Sequence, residues 1–348
     1  MERVPVSCQP GDRRCSVWIR KILLLGPVLV VALYRLRANA GRAMAAAVLV
    51  PGAAVLLHFH LHFDVILPAM AVFLFSLTGT LLFMIHRNVF GGSRRTLYVF
   101  AMAGSLCIIG LFSALPFQQT SFQKFTAPGN HASSVWDDSY NGILIQDLLS
   151  RAPLIGGISM TQSEMMDYGT GEWYFGQAED QSEYQLQERV KLGTLRRNPY
   201  LHYDESSVTL WDILPQHYYS NYLVAVVILL YGWLPGILLL TVMAAFYALI
   251  FSCVLRTRGA LASSVSFYCG LCLLFQSLLY VLGNFGYQYA AFTNLPLVSE
   301  GKLSIMANML LLGFIFSAYR YDPVLDLPAF PAAFISVYTS KSSEWKLL

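Results

Sequence analysis

The amino-acid sequence predicts an all-α fold, a polytopic bundle of transmembrane helices with one large extracytoplasmic loop near its middle. Hydrophobic residues make up 56% of the 348 residues and charged residues only 12%, whereas a soluble domain has roughly 25% charged residues. The charges are missing in blocks of about 20 residues, which is the length that a helix needs to cross a bilayer. The blocks are apolar all round, so they do not fit transmembrane β-strands, and helices satisfy their own backbone amides in lipid.

Seven apolar blocks account for the predicted spans. Four of them precede a long polar stretch and three follow it, at approximately residues 22–34, 43–57, 65–85, 97–115, 223–255, 261–282 and 303–318. The fifth block is too long for one straight crossing and contains Gly232, Pro235 and Gly236. Because glycine and proline interrupt helices, we expect a short partial helix there, followed by a full one.

Short basic loops predict the orientation of the bundle. Residues 86–95 and 256–258 carry arginines and belong on the cytoplasmic side. The loop between the fourth and fifth spans then lies outside, with about 13 acidic and 6 basic side chains. The topology of the first two spans stays open. The resulting division of the chain is N-terminal helices over 1–115, an extracytoplasmic loop over 116–220, C-terminal helices over 221–322 and a short cytoplasmic tail over 323–348.

Two local patterns could hold a metal, but each has a simpler explanation. His58, His60 and His62 alternate, which in a strand would place three imidazoles on one face. At a turn between two helices the same residues are polar caps, and we favour that interpretation. Cys269 and Cys272 form a CxxC inside an apolar block, where we expect small packing residues. The sequence requires no metal and no soluble cofactor.

Several stretches of the second half together resemble the shape, elongation, division and sporulation (SEDS) family, the FtsW/RodA/SpoVE proteins. The stretches are Tyr140–Leu149 with Gly156 and Gly157, Ile213–Val226, Tyr231–Gly236, Asn284–Gly286 and Asn294–Ser304. In order and spacing they are similar to the family's long outer loop, to the L-P-x-x-x-T-D-F motif that opens a helix, and to the later L-P-x-x-S-x-G-G loop. The resemblance covers approximately residues 140–322.

The resemblance implies chemistry on lipid-linked cell-wall precursors. SEDS proteins polymerise the disaccharide of lipid II, usually beside a penicillin-binding transpeptidase. Asn221 stands at the position of the family's essential Asp, and an amide does not act as a general base. The motifs also imply a set of substrate-binding positions, which here are Gln146, His217, Ser220, Pro296, Ser299 and Gly301.

Three function classes remain open. The first is a peptidoglycan glycosyltransferase that uses another carboxylate, either Asp212, about nine residues before Asn221, or Asp204 and Glu205. The same carboxylates fit an ordinary solvated loop. The second is a non-catalytic plasma-membrane partner of a cell-wall synthase, which binds the precursor and membrane lipid. The third is a transporter, since broken helices line transport sites. The basic residues lie in short loops beside the spans and do not indicate nucleic-acid binding.

Overall fold

A computed structural model describes residues 13–61, 67–114, 116–128, 138–170, 172–175, 209–214, 221–289, 295–298 and 302–325. This part of the chain is helical and contains no strand, which confirms the all-α prediction. Four helices come first: α1 (Arg13–Arg35), α2 (Ala40–Leu61), α3 (Leu67–His86) and α4 (Arg94–Ser113). The polar stretch holds α5 (Pro116–Thr126), α6 (Asp138–Arg151), α7 (Gln162–Thr170), α8 (Glu172–Phe175) and α9 (Leu210–Ile213). Four more follow: α10 (Leu223–Tyr231), α11 (Trp233–Arg256), α12 (Ala260–Asn284) and α13 (Lys302–Leu325).

Five of these helices are long and apolar enough to cross a membrane. They cover Ala40–Leu57 of α2, Leu67–His86, Arg94–Ser113, Trp233–Arg256 and Ala260–Asn284. The first and last predicted spans fall within α1 and α13, and their crossing of the membrane stays a prediction. The expected partial helix is also present, because α10 ends at Tyr231 and α11 begins at Trp233. Pro235 lies in the first turn of α11, where a missing backbone N–H costs no helical hydrogen bond.

Helix α3 lies at the centre of the larger apolar core, which we call the membrane core. Within the bundle 72% of α3 is buried, compared with 17% of α11. Helix α3 packs against α1, α4 and α12, and the rings of Phe83 and Phe267 stack with centroids 4.2 Å apart. Cys269 and Cys272 are fully buried free thiols in this core, in agreement with their predicted packing role.

The two basic loops meet at one end of the bundle. The guanidinium of Arg87, just after α3, donates to the carbonyl of Thr257 at 3.0 Å. The carboxylate of Asp322 in α13 accepts the backbone N–H groups of Arg258 and Gly259, both at 2.7 Å. The sequence predicts that these loops share one side of the bundle, and these hydrogen bonds place them together. We call this end the basic end.

We expect Asp322→Ala to destabilise the protein by about 2–4 kcal/mol, because it leaves two buried N–H groups at the start of α12 without a charged acceptor. Asp322→Asn keeps one acceptor oxygen and should lose less. The midpoint of thermal denaturation in detergent measures both effects. Ser317→Ala, at an exposed position of the same helix, is the matched control. Equal midpoints for Asp322→Ala and Ser317→Ala would contradict the capping role.

A second apolar core lies at the other end of α12, and we call it the distal core. Helix α12 begins at the basic end. Tyr280, near the last turn of α12, is fully buried in the distal core. The core joins α6, α7, α9 and α10 through Tyr140, Leu144, Leu148, Tyr168, Ile213, Tyr222, Ile228, Tyr280 and Leu295. The polar stretch that the sequence presents as a loop is therefore partly folded into helices that pack on the ends of the membrane helices.

Candidate functional site

The chain between α10 and α11 breaks at Gly232, which has φ 93° and ψ 177°. Residues that have a Cβ very rarely adopt this backbone conformation, so the position requires glycine. The break also brings two backbones into close approach. A Cβ at Gly232 would lie 2.7 Å from the carbonyl oxygen of Leu154 and 2.8 Å from Cα of Ile155. Glycine thus serves both the turn and the contact.

The segment 153–158 (Pro153 to Ile158) lies along this break and hydrogen-bonds to both sides of it. Gly156 N–H donates to the Tyr231 carbonyl at 2.9 Å, and Ile158 N–H donates to the Leu229 carbonyl at 2.8 Å. In the other direction, the N–H groups of Trp233 and Leu234 donate to the carbonyls of residues 153 and 154, both at 3.0 Å. The ends of two helices leave backbone groups without helical partners, and this segment supplies those partners.

The first turn of α10 is capped by side chains of α12. Leu223 N–H donates to the Tyr280 hydroxyl at 3.0 Å. The side-chain amide oxygen of Asn284, Oδ1, accepts from Val224 N–H at 2.9 Å and from Ala225 N–H at 3.1 Å. These three N–H groups would otherwise lack partners at a helix N-terminus. Because side chains already occupy these donors, they are not available to an anionic ligand.

Asn284 also positions Asn221. Its side-chain N–H group donates to the Asn221 backbone carbonyl at 3.0 Å and to the Tyr280 carbonyl at 2.9 Å. Asn284 is fully buried, so the amide uses both of its ends in a site closed to water. Asn221 is thereby attached through its backbone to the last turn of α12.

Gln146 lies where α6 contacts the turn after α12. A Cβ at Gly286 would come 2.6 Å from Cγ of Gln146 and 2.4 Å from the carbonyl oxygen of Gly142. Gly286 has φ 85°, so the turn depends on glycine for its conformation as well as for the space. Leu295 belongs to the same distal core, and Pro296 beside it is buried.

Asp212 is buried and takes part in a capping box of α9. One carboxylate oxygen, Oδ2, accepts from Thr209 N–H at 2.9 Å and from the Thr209 hydroxyl at 2.7 Å. The adjoining Ile213 and Leu214 belong to the distal core. The interactions of Asp212 with Thr209 are those of a helix-terminal structural residue. Its catalytic role stays a prediction.

A cluster of aromatic and charged side chains joins α6 to α7 and α8. The Tyr168 hydroxyl donates to Asp147, the Tyr140 hydroxyl donates to the Tyr168 carbonyl at 3.0 Å, and the Trp173 indole donates to the Tyr140 hydroxyl at 2.8 Å. Burial, followed by the hydrogen bond to Asp147, raises the pKa of Tyr168 above its ordinary value. Tyr168 therefore stays a neutral donor at physiological pH.

Arg151 joins the two carboxylates at the edge of this cluster. Its guanidinium lies 3.1 Å from Asp147 Oδ2 and 3.1 Å from Glu164 Oε1. Hydrogen bonds from the Thr161 backbone and hydroxyl, and then the charge of Arg151, lower the pKa of Glu164. All three charged side chains remain partly open to solvent. The arrangement ties α6 to α7, and its charged side chains lie at the edge of the distal core, to which Tyr140 and Tyr168 belong.

Four of the eight predicted site residues are described, namely Gln146, Asp212, Asn221 and Pro296, and each lies in or next to the distal core. The other four lie outside the described residues: His217, Ser220, Ser299 and Gly301. His58 and His60 belong to helix α2, so the strand arrangement considered for them is wrong. The side chains of His58 and His60, and the whole of His62, lie outside the described part of the chain.

Asn284 and Gly156 fall in stretches that resemble a known family, but the sequence alone assigns no role in the site to Asn284 or to the segment 153–158. Asn284 is a polar residue at the end of an apolar block, and such residues often have a specific partner in the membrane. That signal was available. The chain matches no family model, no curated protein and no solved structure.

Proposed function

We propose that this protein is a multi-pass plasma-membrane protein of bacterial cell-wall assembly that binds a lipid-linked peptidoglycan precursor at the distal end of the bundle. One observation carries the proposal. Gln146, Asn221 and Pro296 come from three separate motifs, and each adjoins the distal core through a neighbouring residue of that core, namely Ile145, Tyr222 and Leu295. Asn284 holds the Asn221 carbonyl, and the turn at Gly286 meets Gln146. Convergence of the motif positions is what a shared ligand site would require.

The side chains around Asn221 favour binding over proton transfer. An amide donates and accepts hydrogen bonds but does not take up a proton at neutral pH. The nearest described carboxylate along the chain before Asn221 is that of Asp212, and it already accepts two hydrogen bonds from Thr209. We therefore put binding of the precursor first and polymerisation of its disaccharide second.

The distribution of charge and aromatic residues supports an extracytoplasmic distal end. If consecutive helices alternate in direction, the connection between α1 and α2 lies at the basic end, as the two basic loops do. It adds Arg35, Arg37 and Arg42 to the positive charge at that end. Basic residues collect on the cytoplasmic side of membrane proteins, and aromatic residues collect at the interfaces. At the distal end, Trp233 stacks on Phe285 with centroids 6.2 Å apart.

The test measures binding and polymerisation of lipid II by the purified full-length protein, alone and with a candidate transpeptidase. We expect wild-type protein to bind lipid II in preference to phosphatidylglycerol. We expect Asn221→Asp to alter that binding or to introduce polymerisation. Asn88→Asp makes the same chemical change at an exposed turn of the basic end and should behave like wild type.

Each result has a distinct consequence. Polymer from wild type that is lost in Asp212→Asn would identify an active glycosyltransferase with a relocated carboxylate. Polymer from Asn221→Asp alone would identify an otherwise intact site that lacks one group. A folded wild-type protein that binds lipid II no better than phosphatidylglycerol would overturn the proposal.

A further inference from the structure

The segment 153–158 presents two large aliphatic side chains that have little cover from the protein. Leu154 is 65% exposed and Ile155 is 70% exposed. Exposed aliphatic residues in loops are often mobile, but here the surrounding backbone is fixed by the four hydrogen bonds to α10 and α11. The two side chains are therefore held at a defined position, at the break between the two helices.

That position lies at the start of a membrane span. The carbonyl of Leu154 accepts from Leu234 N–H in the first turn of α11. Helix α11 is one of the five apolar helices, and only 17% of it is buried within the protein. Its outward side chains, including Leu234 and Leu238, are more than half exposed. Leu154 and Ile155 therefore adjoin a surface that has the composition of a lipid-facing helix.

The chemistry at this point fits the boundary of a bilayer. Tyr231, the last residue of α10, is 59% exposed, and Trp233 opens α11. Tyrosine and tryptophan concentrate at membrane interfaces, while leucine and isoleucine enter the apolar layer beneath. The backbone of 153–158 does not prevent insertion, because it donates and accepts hydrogen bonds along the helix break rather than presenting all its polar groups to lipid.

We infer that Leu154 and Ile155 insert into the leaflet around the distal end of α11, so that segment 153–158 anchors the α6–α7 region to the membrane surface. The partner is the acyl-chain layer of the bilayer. This anchor does not depend on the proposed ligand of the distal core. It gives the central polar stretch a second attachment to the membrane besides the helices at its two ends.

Photo-crosslinking in vesicles tests the anchor. p-Benzoylphenylalanine replaces Leu154 or Ile155, one at a time, in the full-length protein reconstituted with radiolabelled phosphatidylcholine. Leu238 on α11 is the lipid-facing control, and Ser163, exposed on α7, is the water-facing control. We expect lipid adducts at 154 and 155 that match position 238 and exceed position 163 several-fold. Adduct yields equal to those at Ser163, or adducts to a second copy of the chain, would overturn the inference.

Unmodified protein provides an independent measurement. Hydroxyl-radical labelling of wild-type protein in vesicles should oxidise Leu154 and Ile155 as slowly as Leu238, because all three lie in lipid. Detergent that replaces the lipid still covers these apolar side chains, so we expect their oxidation rates to change little on solubilisation. Rapid oxidation of Leu154 and Ile155 in vesicles, with Leu238 protected, would show that the two side chains face water and would refute the anchor.

Discussion

Replacing Gly232 with alanine should unfold the distal half of the protein well before the membrane core. Alanine at φ 93° and ψ 177° is strained, and its Cβ would overlap backbone atoms of Leu154 and Ile155 at 2.7–2.8 Å. Backbone has less freedom to move aside than the tip of a side chain has. The conformational strain and the steric overlap together should lower the free energy of unfolding by roughly 2–6 kcal/mol.

Hydrogen exchange and thermal denaturation in detergent together locate this effect. The N–H groups of Gly156, Ile158, Trp233 and Leu234 should exchange much faster in Gly232→Ala, because their partners lie across the break. Gly110→Ala is the matched control, since a Cβ there meets nothing within 4 Å and alanine favours a helix interior. Wild-type exchange rates at these four amides in Gly232→Ala would show that the break is not held in this way.

Asn284→Ala should strongly destabilise the distal core. It removes the acceptor of Val224 N–H and Ala225 N–H and the donor to the Asn221 carbonyl. Each buried polar group left without a partner costs about 1–3 kcal/mol, so we expect a loss of about 3 kcal/mol or more. The N-terminal turn of α10 should fray, and Asn221 should lose its fixed position.

Two variants separate this capping role from a general need for asparagine in the membrane. Asn308 is also buried, and its amide oxygen has no hydrogen-bond partner within the part of the chain that the structure describes. Asn308→Ala should therefore cost little. Tyr280→Phe removes the acceptor of Leu223 N–H and should cost about 1 kcal/mol. Similar denaturation midpoints for Asn284→Ala and Asn308→Ala would contradict the assigned role of Asn284.

Hydrophobicity along the chain was sufficient to predict much of the helical framework. The blocks at 65–85, 97–115 and 261–282 became Leu67–His86, Arg94–Ser113 and Ala260–Asn284, because lipid leaves a helix as the one way to satisfy the backbone of such a block. The break near Gly232 could be predicted from local sequence too, since glycine and proline act on the residues next to them.

The arrangement of the candidate site could not be predicted in the same way. The amide of Asn284 meets α10 across about 60 residues of chain, and the periodicity of the sequence carries no information about such a contact. The helices α6 to α9 were also missed, because they are too short to span a membrane, lie in a stretch that is polar as a whole, and are buried only by packing on the ends of the membrane helices. Asp212 illustrates the limit: its spacing from Asn221 suggested catalysis, while its hydrogen bonds are those of a cap.

The central position of α3 has a consequence for how the protein is made. The neighbours of α3 on one side are synthesised much later, since Arg87, which follows α3, bonds to a residue 170 positions further on. A ribosome needs on the order of 10–30 s to add that length of chain, and α3 must wait in the bilayer throughout. The Thr80 hydroxyl donates to the carbonyl of Ser76 in its own helix at 2.7 Å. The Thr80 hydroxyl is therefore already hydrogen-bonded within its own helix while α3 lies in lipid, before α12 is made.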